Sequence, residues 1–321
     1  MANYKKTVDS LTQIYEANIF NLSLGSSGHY FARHHAVYNS PKYQNVVAWN
    51  VYIRYYARFD KMLQTFINNQ ESKTEYKGDK PKKKRKLLRY KFYIQNPKAM
   101  FYDRFLNGWF HLVKFGLLNK FSEELLKKAV SKLKKINFEK IYCTEEAIKY
   151  DSSYLFNAVL FLKHLNIDRT IAGKCEKMLE KMYLGSKANL DKLPKEEYQS
   201  FVYSLTHIII ADSKYYQRFV SGHQWIIKYF INNIQTIISR TTPDIVSEVG
   251  LCLRLCRQDK KYERLMSETK KQLVSKIKWN KLETDPEYLH KREHTNSILI
   301  MLLANNKKFY APFKLSKHDI F

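Results

Sequence analysis

Apolar residues recur along the chain at three to five residue intervals, the spacing of one face of an α-helix. The spacing is clearest in three places: Phe105, Trp109, Leu112 and Leu117; Leu155, Val159 and Leu162; and Ile226, Tyr229, Phe230, Ile234 and Ile237. Alternation with a period of two, which is typical of strands, is absent. The run Ile208-Ile209-Ile210 lies inside a longer helical pattern from Glu196 to Asp212. The pattern therefore predicts an all-α chain.

Helix start signals support this prediction. Ser40-Pro41, Thr242-Pro243 and Asp285-Pro286 each place a side-chain oxygen before a proline, and a proline is tolerated in the first helical turn. Thr144 is followed by two glutamates that suit the positive end of a helix dipole.

These signals divide the chain into a leading helix over residues 1–20 and about six helix pairs. The predicted pairs are His29–Asn69, Met100–Ile136, Glu145–Leu184, Glu196–Arg240, Asp244–Lys278 and Pro286–Asn305. In several pairs the first helix is the more apolar, as expected of an inner layer of buried helices and an outer amphipathic layer. We expect stacked helix pairs closed into an α/α toroid, with an open α-solenoid as the alternative.

Polar residues recur inside the predicted inner helices. His111, Asn157, His207, Glu248 and His294 follow one another at intervals of 41 to 50 residues, a range typical of helix-pair arrays. In a closed ring these side chains would converge on one central cavity, whereas an open solenoid would place them along a concave face.

The helical pattern breaks over residues 68–86, which carry no apolar face and end in the basic run Lys82–Lys86. We expect an exposed basic loop inserted into a single helical domain that spans residues 1–321. The run also resembles a nuclear-import signal, which would matter in a protein injected into a eukaryotic cell. A solvated run of charges, or a contact for phosphates or acidic lipids, is the alternative.

Charge changes this picture. The chain has 56 Lys and Arg against 30 Asp and Glu, a net charge of +26. This favours an anionic partner such as nucleic acid, an acidic lipid surface or an acidic protein. Lysines are nevertheless scattered over most segments and often pair with glutamates at helical spacing, as in a solvated surface.

Cysteines and apolar runs bear on location. Cys143, Cys175, Cys252 and Cys256 form no CxxC motif, so we expect reduced thiols. The N-terminus lacks the apolar core of a signal peptide, and the longest apolar run, Ile298–Ala304, is too short to span a bilayer. We expect a cytoplasmic protein without a transmembrane segment, or one secreted into a host cell without a signal peptide.

Candidate chemistry lies in the polar residues of the apolar helices. His207, with Tyr203 one turn earlier, lies among apolar residues, and Glu248 begins an apolar face. A carboxylate that enters a core needs a partner or takes up a proton. Glu293, Asn296 and Ser297 share one helix face directly before a long apolar run. For each, a purely structural role is the alternative, as a core hydrogen bond or a first-turn glutamate.

Two mechanisms follow from these residues. In the first, Glu248 and Glu293 form an acid/base pair, while His207 and Arg33 bind or polarise the substrate. In the second, His207, Cys252 and His294 bind Zn²⁺ and Glu248 is the base. No phosphate-binding loop, nucleophile elbow or HExxH motif is present. We therefore favour acid/base chemistry with no cofactor.

Four segments carry a resemblance: HYFARHHAVYNSPKY, YSLTHIIIADSKYYQ, SEVGLCLRLC and REHTNSILIMLL. Together they resemble an uncharacterised family of bacterial helical domains that look like α/α toroids, over roughly Gly28–Ala304. Residues 68–86 depart from it. The resemblance implies a shared cavity but no reaction. It implies site positions at His29, Arg33, His207, Glu248, Glu293, His294 and Asn296.

The sequence thus leads to a hypothesis with two alternatives. The hypothesis is an α-toroid protein that binds or modifies a small or peptidic substrate by acid/base chemistry, with Glu248, Glu293 and His207 catalytic. His29, Arg33, Tyr203, His294 and Asn296 would bind the substrate. The alternatives are a helical-repeat scaffold for an anionic macromolecule, bound through its basic surface and the Lys82–Lys86 loop, and an injected bacterial effector.

Overall fold

A computed structural model describes residues 4–73, 75–76, 80–82, 84–185, 189–304 and 309–310. The described residues form helices and turns and no β-strand, which confirms the predicted all-α class. Closure into a toroid, or an open solenoid, stays a prediction, as does the single domain. The chain divides into two compact units: unit 1 is Met1–Val51 with Ser213–Phe321, and unit 2 is Tyr52–Asp212.

The helices follow one another with short connections. The first part of unit 1 contains α1 (Lys5–Ala17), α2 (Leu24–Tyr38) and α3 (Pro41–Val51). Unit 2 contains a π-helical turn (Tyr52–Tyr56), α4 (Ala57–Ile67), α5 (Lys84–Gln95), α6 (Pro97–Lys114), α7 (Glu123–Leu133), α8 (Glu139–Tyr142), α9 (Glu145–Tyr150), α10 (Ser153–His164), α11 (Ile171–Leu184) and α12 (Lys195–Asp212). The second part of unit 1 contains α13 (Gln224–Asn232), α14 (Ile234–Arg240), α15 (Pro243–Leu255), α16 (Glu263–Ser275), α17 (Trp279–Thr284) and α18 (Pro286–Leu303).

The core of unit 1 is built around α18, which packs against α1, α2 and α15. Its last two turns, Ile298–Leu303, are buried on every side, as expected of a helix surrounded by others. Because the helix is enclosed, the polar residues one turn earlier, Glu293, Asn296 and Ser297, are buried as well.

Close approach of α2 and α3 explains a glycine in the middle of a helix. A Cβ atom at Gly28 would collide with the side-chain amide of Asn50. That amide is buried and donates a hydrogen bond to the carbonyl oxygen of Leu24. A larger residue at position 28 would therefore displace a satisfied buried polar group.

The core of unit 2 is aromatic where α4 meets α6. The rings of Phe59 and Phe105 stack with centroids 5.2 Å apart, and Trp109 meets Phe59 edge-on at 5.6 Å. Phe66 packs on Phe105 at 5.1 Å. Such ring pairs stabilise a core beyond their buried area, which accounts for the use of the chain's aromatic content.

The segment over residues 68–86 differs from the expected loop at both ends. Glu71 lies in a 3₁₀ turn, is buried and forms an ion pair with Lys132 at 2.9 Å. Helix α5 begins at Lys84, inside the basic run, because Phe92 and Tyr93 supply a buried face that the run of lysines obscures. Residues 74, 77–79 and 83 lie outside the described residues.

The predicted helix caps are observed in part. The Oγ1 atom of Thr144 accepts a hydrogen bond from the backbone N–H of Ala147 at 3.1 Å. The Oδ1 atom of Asp285 accepts one from Tyr288 at 2.9 Å. Thr242 makes no side-chain cap bond, so the start of α15 rests on Pro243 instead.

Two further findings concern cysteines and membranes. The cysteines are free thiols, and the Sγ atoms of Cys143 and Cys175 lie 2.6 Å apart. Within the part of the chain that the structure describes, no helix is both long enough and apolar enough to cross a bilayer.

His34 of α2 predicts a dependence of stability on pH. Its Nδ1 donates to the carbonyl oxygen of Tyr30 at 3.0 Å, and its Nε2 lies 3.4 Å from Thr12 Oγ1. Burial, which outweighs the nearby Glu16 carboxylate, lowers the pKa of His34 to about 4. The stabilisation by neutral His34 is therefore complete above about pH 6.5 and is lost as pH falls toward 4.

We expect this effect to remove on the order of 2 kcal/mol of unfolding free energy at pH 5 relative to pH 7.5. Urea denaturation of the wild type and of His34→Asn at both pH values measures it, since Asn keeps a donor for the Tyr30 carbonyl. The variant should lose less stability on acidification. Equal losses in the two proteins would show that His34 is not the titrating group.

Candidate functional site

Three helices of unit 1 bring ionisable side chains together: α2 supplies Arg33, α15 supplies Glu248, and α18 supplies Glu293 and His294. Arg33 Nη1 lies 3.5 Å from Glu293 Oε1, and Arg33 Nη2 lies 2.9 Å from His294 Nδ1. His294 Nε2 lies 3.6 Å from Glu248 Oε1. The four side chains form a continuous row in the order Glu293, Arg33, His294, Glu248, which we call the unit 1 cluster.

The protonation of His294 follows from its partners. A guanidinium only donates hydrogen bonds, so the Nδ1 atom of His294 accepts from Arg33 and the ring proton is on Nε2, facing Glu248. Burial and the adjacent Arg33 cation both lower the pKa of His294. The imidazole is therefore neutral near pH 7.

Access to the cluster differs from residue to residue. The side chains of Glu248 and Glu293 are each 2% exposed, whereas that of His294 is 36% exposed. The exposed His29 has its ring centroid 6.3 Å from that of His294. A small molecule would therefore meet the imidazoles first, with the carboxyl groups behind them.

Glu293 lies in the most apolar part of the cluster. Burial raises its pKa, although the Arg33 charge and a hydrogen bond from Ser297 act in the opposite direction. Ser297 Oγ also accepts a hydrogen bond from Arg33 at 2.7 Å. A carboxyl group whose pKa is raised by burial, beside a cation, has the character of a general acid.

Tyr216 belongs to this site and the sequence did not indicate it. Burial raises the pKa of Tyr216, whose hydroxyl makes a hydrogen bond with Arg33 and lies near Glu248. Three successive residues, Lys214, Tyr215 and Tyr216, have φ values of 54°, 55° and 68°. This left-handed turn costs roughly 1–2 kcal/mol per residue and is typical of functional segments. Nothing in the residue types signals it.

Asn296 makes a contact of a different kind. Its Nδ2 donates to the hydroxyl of Tyr15 at 2.9 Å, and that hydroxyl donates to the carbonyl oxygen of Leu289 at 3.2 Å. The bonds join α18 to α1 and give Asn296 a structural role. A part for Asn296 in substrate binding stays a prediction.

Tyr203 and His207 lie on α12 in unit 2, so the structure does not place them in the unit 1 cluster. His207 Nδ1 lies 3.0 Å from Asn157 Oδ1, and its ring centroid lies 4.4 Å from that of Tyr203. Thus two consecutive pairs of the repeating polar positions meet: Asn157 with His207 in unit 2, and Glu248 with His294 in unit 1. Convergence of all of them on one cavity stays a prediction.

The zinc mechanism gains no support. Among the residues described, no group of three or more His, Cys, Asp or Glu side chains could hold a metal ion. Burial also raises the pKa of Cys252, which disfavours the thiolate that zinc requires.

Comparison with known proteins gives one match. Neither the curated proteins nor the solved structures contain a match to this chain. A family model for a domain of unknown function, DUF3541, matches residues 4–321. The match includes both units and every residue of the unit 1 cluster, in keeping with the resemblance to an uncharacterised helical domain family. The chain therefore belongs to the DUF3541 family.

Proposed function

We propose that the unit 1 cluster is an acid/base centre that binds and modifies a small or peptidic substrate. The observation that carries this proposal is the row of four ionisable side chains from three helices, two of them buried carboxyl groups. Perturbed titratable groups in contact are typical of functional sites, because burying such charges is costly unless a function maintains them.

The roles follow from the contacts. Glu248 is the proton acceptor, because the Nε2–H of His294 faces its oxygen and orients it. Glu293 is the proton donor, because burial raises its pKa. Arg33 lies between His294 and Glu293 and can bind a carboxylate, phosphate or polarised carbonyl of the substrate. His29 and His294 form the exposed entrance.

A reaction screen with matched variants tests the proposal. We would incubate the protein with small carboxylic acids, phosphate esters, amides and dipeptides and follow conversion by proton NMR. Glu248→Gln and Glu293→Gln should reduce conversion at least about 100-fold, the usual contribution of a general acid or base. Substrate affinity, measured by ligand-observed NMR, should change little in both.

Glu71→Gln is the matched control, because Glu71 is also buried and ion-paired but lies in unit 2. It should convert substrate at the wild-type rate. Wild-type rates in Glu248→Gln or Glu293→Gln, or conversion that falls only in proportion to the fraction of unfolded protein, would contradict an acid/base role and leave the cluster as a structural ion network.

The net charge of +26 favours a second candidate, a scaffold that binds an anionic macromolecule. Retention on heparin should then fall steeply between about 50 and 200 mM salt, because bound counterions are released. Retention that does not depend on salt would count against the scaffold. Substitutions in the unit 1 cluster should leave this retention unchanged, which separates the two candidates.

A further inference from the structure

A second pocket lies within unit 2, where the first turn of α10 meets α5 and α12. Its lining is mostly polar and includes two cations, and it is formed by Lys86, Arg89, Tyr150, Asp151, Ser152, Ser153, Ser200 and Tyr203. The space between these side chains is about 300 Å³, part of it open to solvent. This is large enough for a single small polar group.

Arg89 is the unusual residue of the lining. Its guanidinium carbon lies 4.2 Å from the centroid of the Tyr154 ring, on which it stacks. The guanidinium makes no hydrogen bond with any residue in the described part of the chain and is only partly exposed. A half-buried guanidinium with vacant donors is costly, because five N–H groups lose water without gaining acceptors. Such a group is suited to an acceptor that arrives from outside.

Asp151 and Asp103 determine the charge behind Arg89. The Tyr93 hydroxyl lies 2.7 Å from Asp103 Oδ2 and 2.8 Å from Asp151 Oδ1. Burial raises the pKa of both carboxyl groups, and each raises that of the other. Because Tyr93 has only one proton to donate, the two aspartates hold one further proton between them and carry one negative charge.

The pocket is therefore positive overall. One shared negative charge offsets Arg89, and the exposed Lys86 remains without an acidic counterpart in the lining. Asp151 Oδ2 is buried without a hydrogen-bond partner and lies in the pocket wall. In its protonated form this carboxyl group can donate to an oxyanion.

The start of α10 completes the site. Ser152 has φ 48° and ψ −111°, a backbone conformation that is strained for a residue other than glycine. Its Oγ bonds the carbonyl oxygen of Ser200 at 2.9 Å and Ser204 Oγ at 2.6 Å. No histidine or carboxylate accepts its proton, so the geometry supports binding rather than nucleophilic attack. Ser153 begins the 12-residue helix at its positive end, which attracts anions.

We propose that this pocket binds a small oxyanion, a phosphate or carboxylate group, between Arg89, Lys86 and the first turn of α10. The occupant supplies the acceptors that Arg89 lacks within the described residues, and its negative charge neutralises Lys86. This site in unit 2 does not depend on the acid/base centre proposed for unit 1.

Calorimetric titration of the full chain with sodium phosphate, and separately with acetate, tests this proposal. Sodium chloride holds the ionic strength constant, so that general attraction to a basic protein is matched. We expect saturable binding with one site per chain for at least one of the two anions, and tighter binding of phosphate would identify a phosphate group. Arg89→Met should weaken binding at least 10-fold.

Arg104→Met is the matched control, because Arg104 also lies over a tyrosine ring, that of Tyr76 at 5.7 Å, but does not line the pocket. It should bind as the wild type does. Because loss of Arg89 could unfold unit 2, the exposed Lys86 supplies a second variant: Lys86→Met should weaken binding several-fold with an unchanged circular dichroism spectrum.

Amide spectra identify the location of the bound anion. On addition of phosphate, the amide signals of Ser152 and Ser153 should shift in the wild type and in Arg104→Met, and not in Arg89→Met. The proposal is overturned if neither anion binds saturably, if all variants bind equally, or if the shifts are spread over lysines throughout the chain.

Discussion

Replacing Arg33 with Met should destabilise the protein by about 3–5 kcal/mol, because it leaves a buried carboxylate without its cation. Glu293 is 1% exposed and its Oε1 lies 3.5 Å from Arg33 Nη1. The substitution also removes the hydrogen bonds from Arg33 to Ser297 and His294. Met keeps most of the apolar length of the side chain, so the loss reports on the charge. Urea denaturation at pH 7.5 measures it.

The double variant Arg33→Met/Glu293→Gln is the control for this expectation. With the buried charge removed as well, it should recover at least half of the lost stability. The single variant should also be less impaired at pH 5 than at pH 7.5, because Glu293 can then take up a proton. If the double variant is as unstable as the single one, the loss comes from packing or from the other partners of Arg33, and the ion pair contributes little.

Replacing Asp103 with Leu should cost about 2–4 kcal/mol, because Asp103 is the acceptor for buried tyrosine hydroxyls. Tyr142 is fully buried and donates to Asp103 Oδ1 at 2.8 Å, and Tyr93 contacts Oδ2 at 2.7 Å. Leu has a similar volume but accepts no hydrogen bond. Chemical denaturation measures the loss. In a Tyr142→Phe background the same substitution should cost about 1–2 kcal/mol less, because one buried donor is already absent.

The pH dependence of the aspartate pair gives the outcome that would contradict this interpretation. Both carboxyl groups have a raised pKa, so the stability they contribute is present at low pH and is lost as pH rises from about 4 through their folded-state values. Asp151→Asn cannot release the shared proton. Relative to the wild type, it should therefore gain stability at pH 8 but not at pH 4. A parallel pH profile in both proteins would rule out proton sharing.

Much of the unit 1 cluster could be predicted from the sequence. Glu248, Glu293 and His294 were indicated because polar residues interrupt otherwise apolar helix faces, and a buried polar group needs a partner. The structure supplies those partners from neighbouring helices, with Arg33 in the centre of the row. Arg33 itself was indicated only by its helical spacing from His29 and by the family resemblance.

Other functional residues could not be predicted in this way. Tyr216 reaches Arg33 through a left-handed turn, and no local preference of Lys214, Tyr215 or Tyr216 favours that conformation. Arg89 belongs to a helix that the basic run concealed, and its importance depends on the hydrogen bonds it does not make to the described residues. Asp103 and Asp151 are 48 residues apart, and only packing shows that they share a proton.

Helical periodicity, proline positions and the polar interruptions of apolar faces follow from interactions between residues close in the chain. They were sufficient for the all-α class, most helix positions and three residues of the unit 1 cluster. The tertiary structure decided which polar residues meet. It joined Glu248 to His294 but placed His207 in unit 2, and it chose Arg33 rather than a metal ion as the central cation. The physical reason is that partner choice depends on distances between helices far apart in the chain, where a shift of a few ångströms separates an ion pair from two isolated charges.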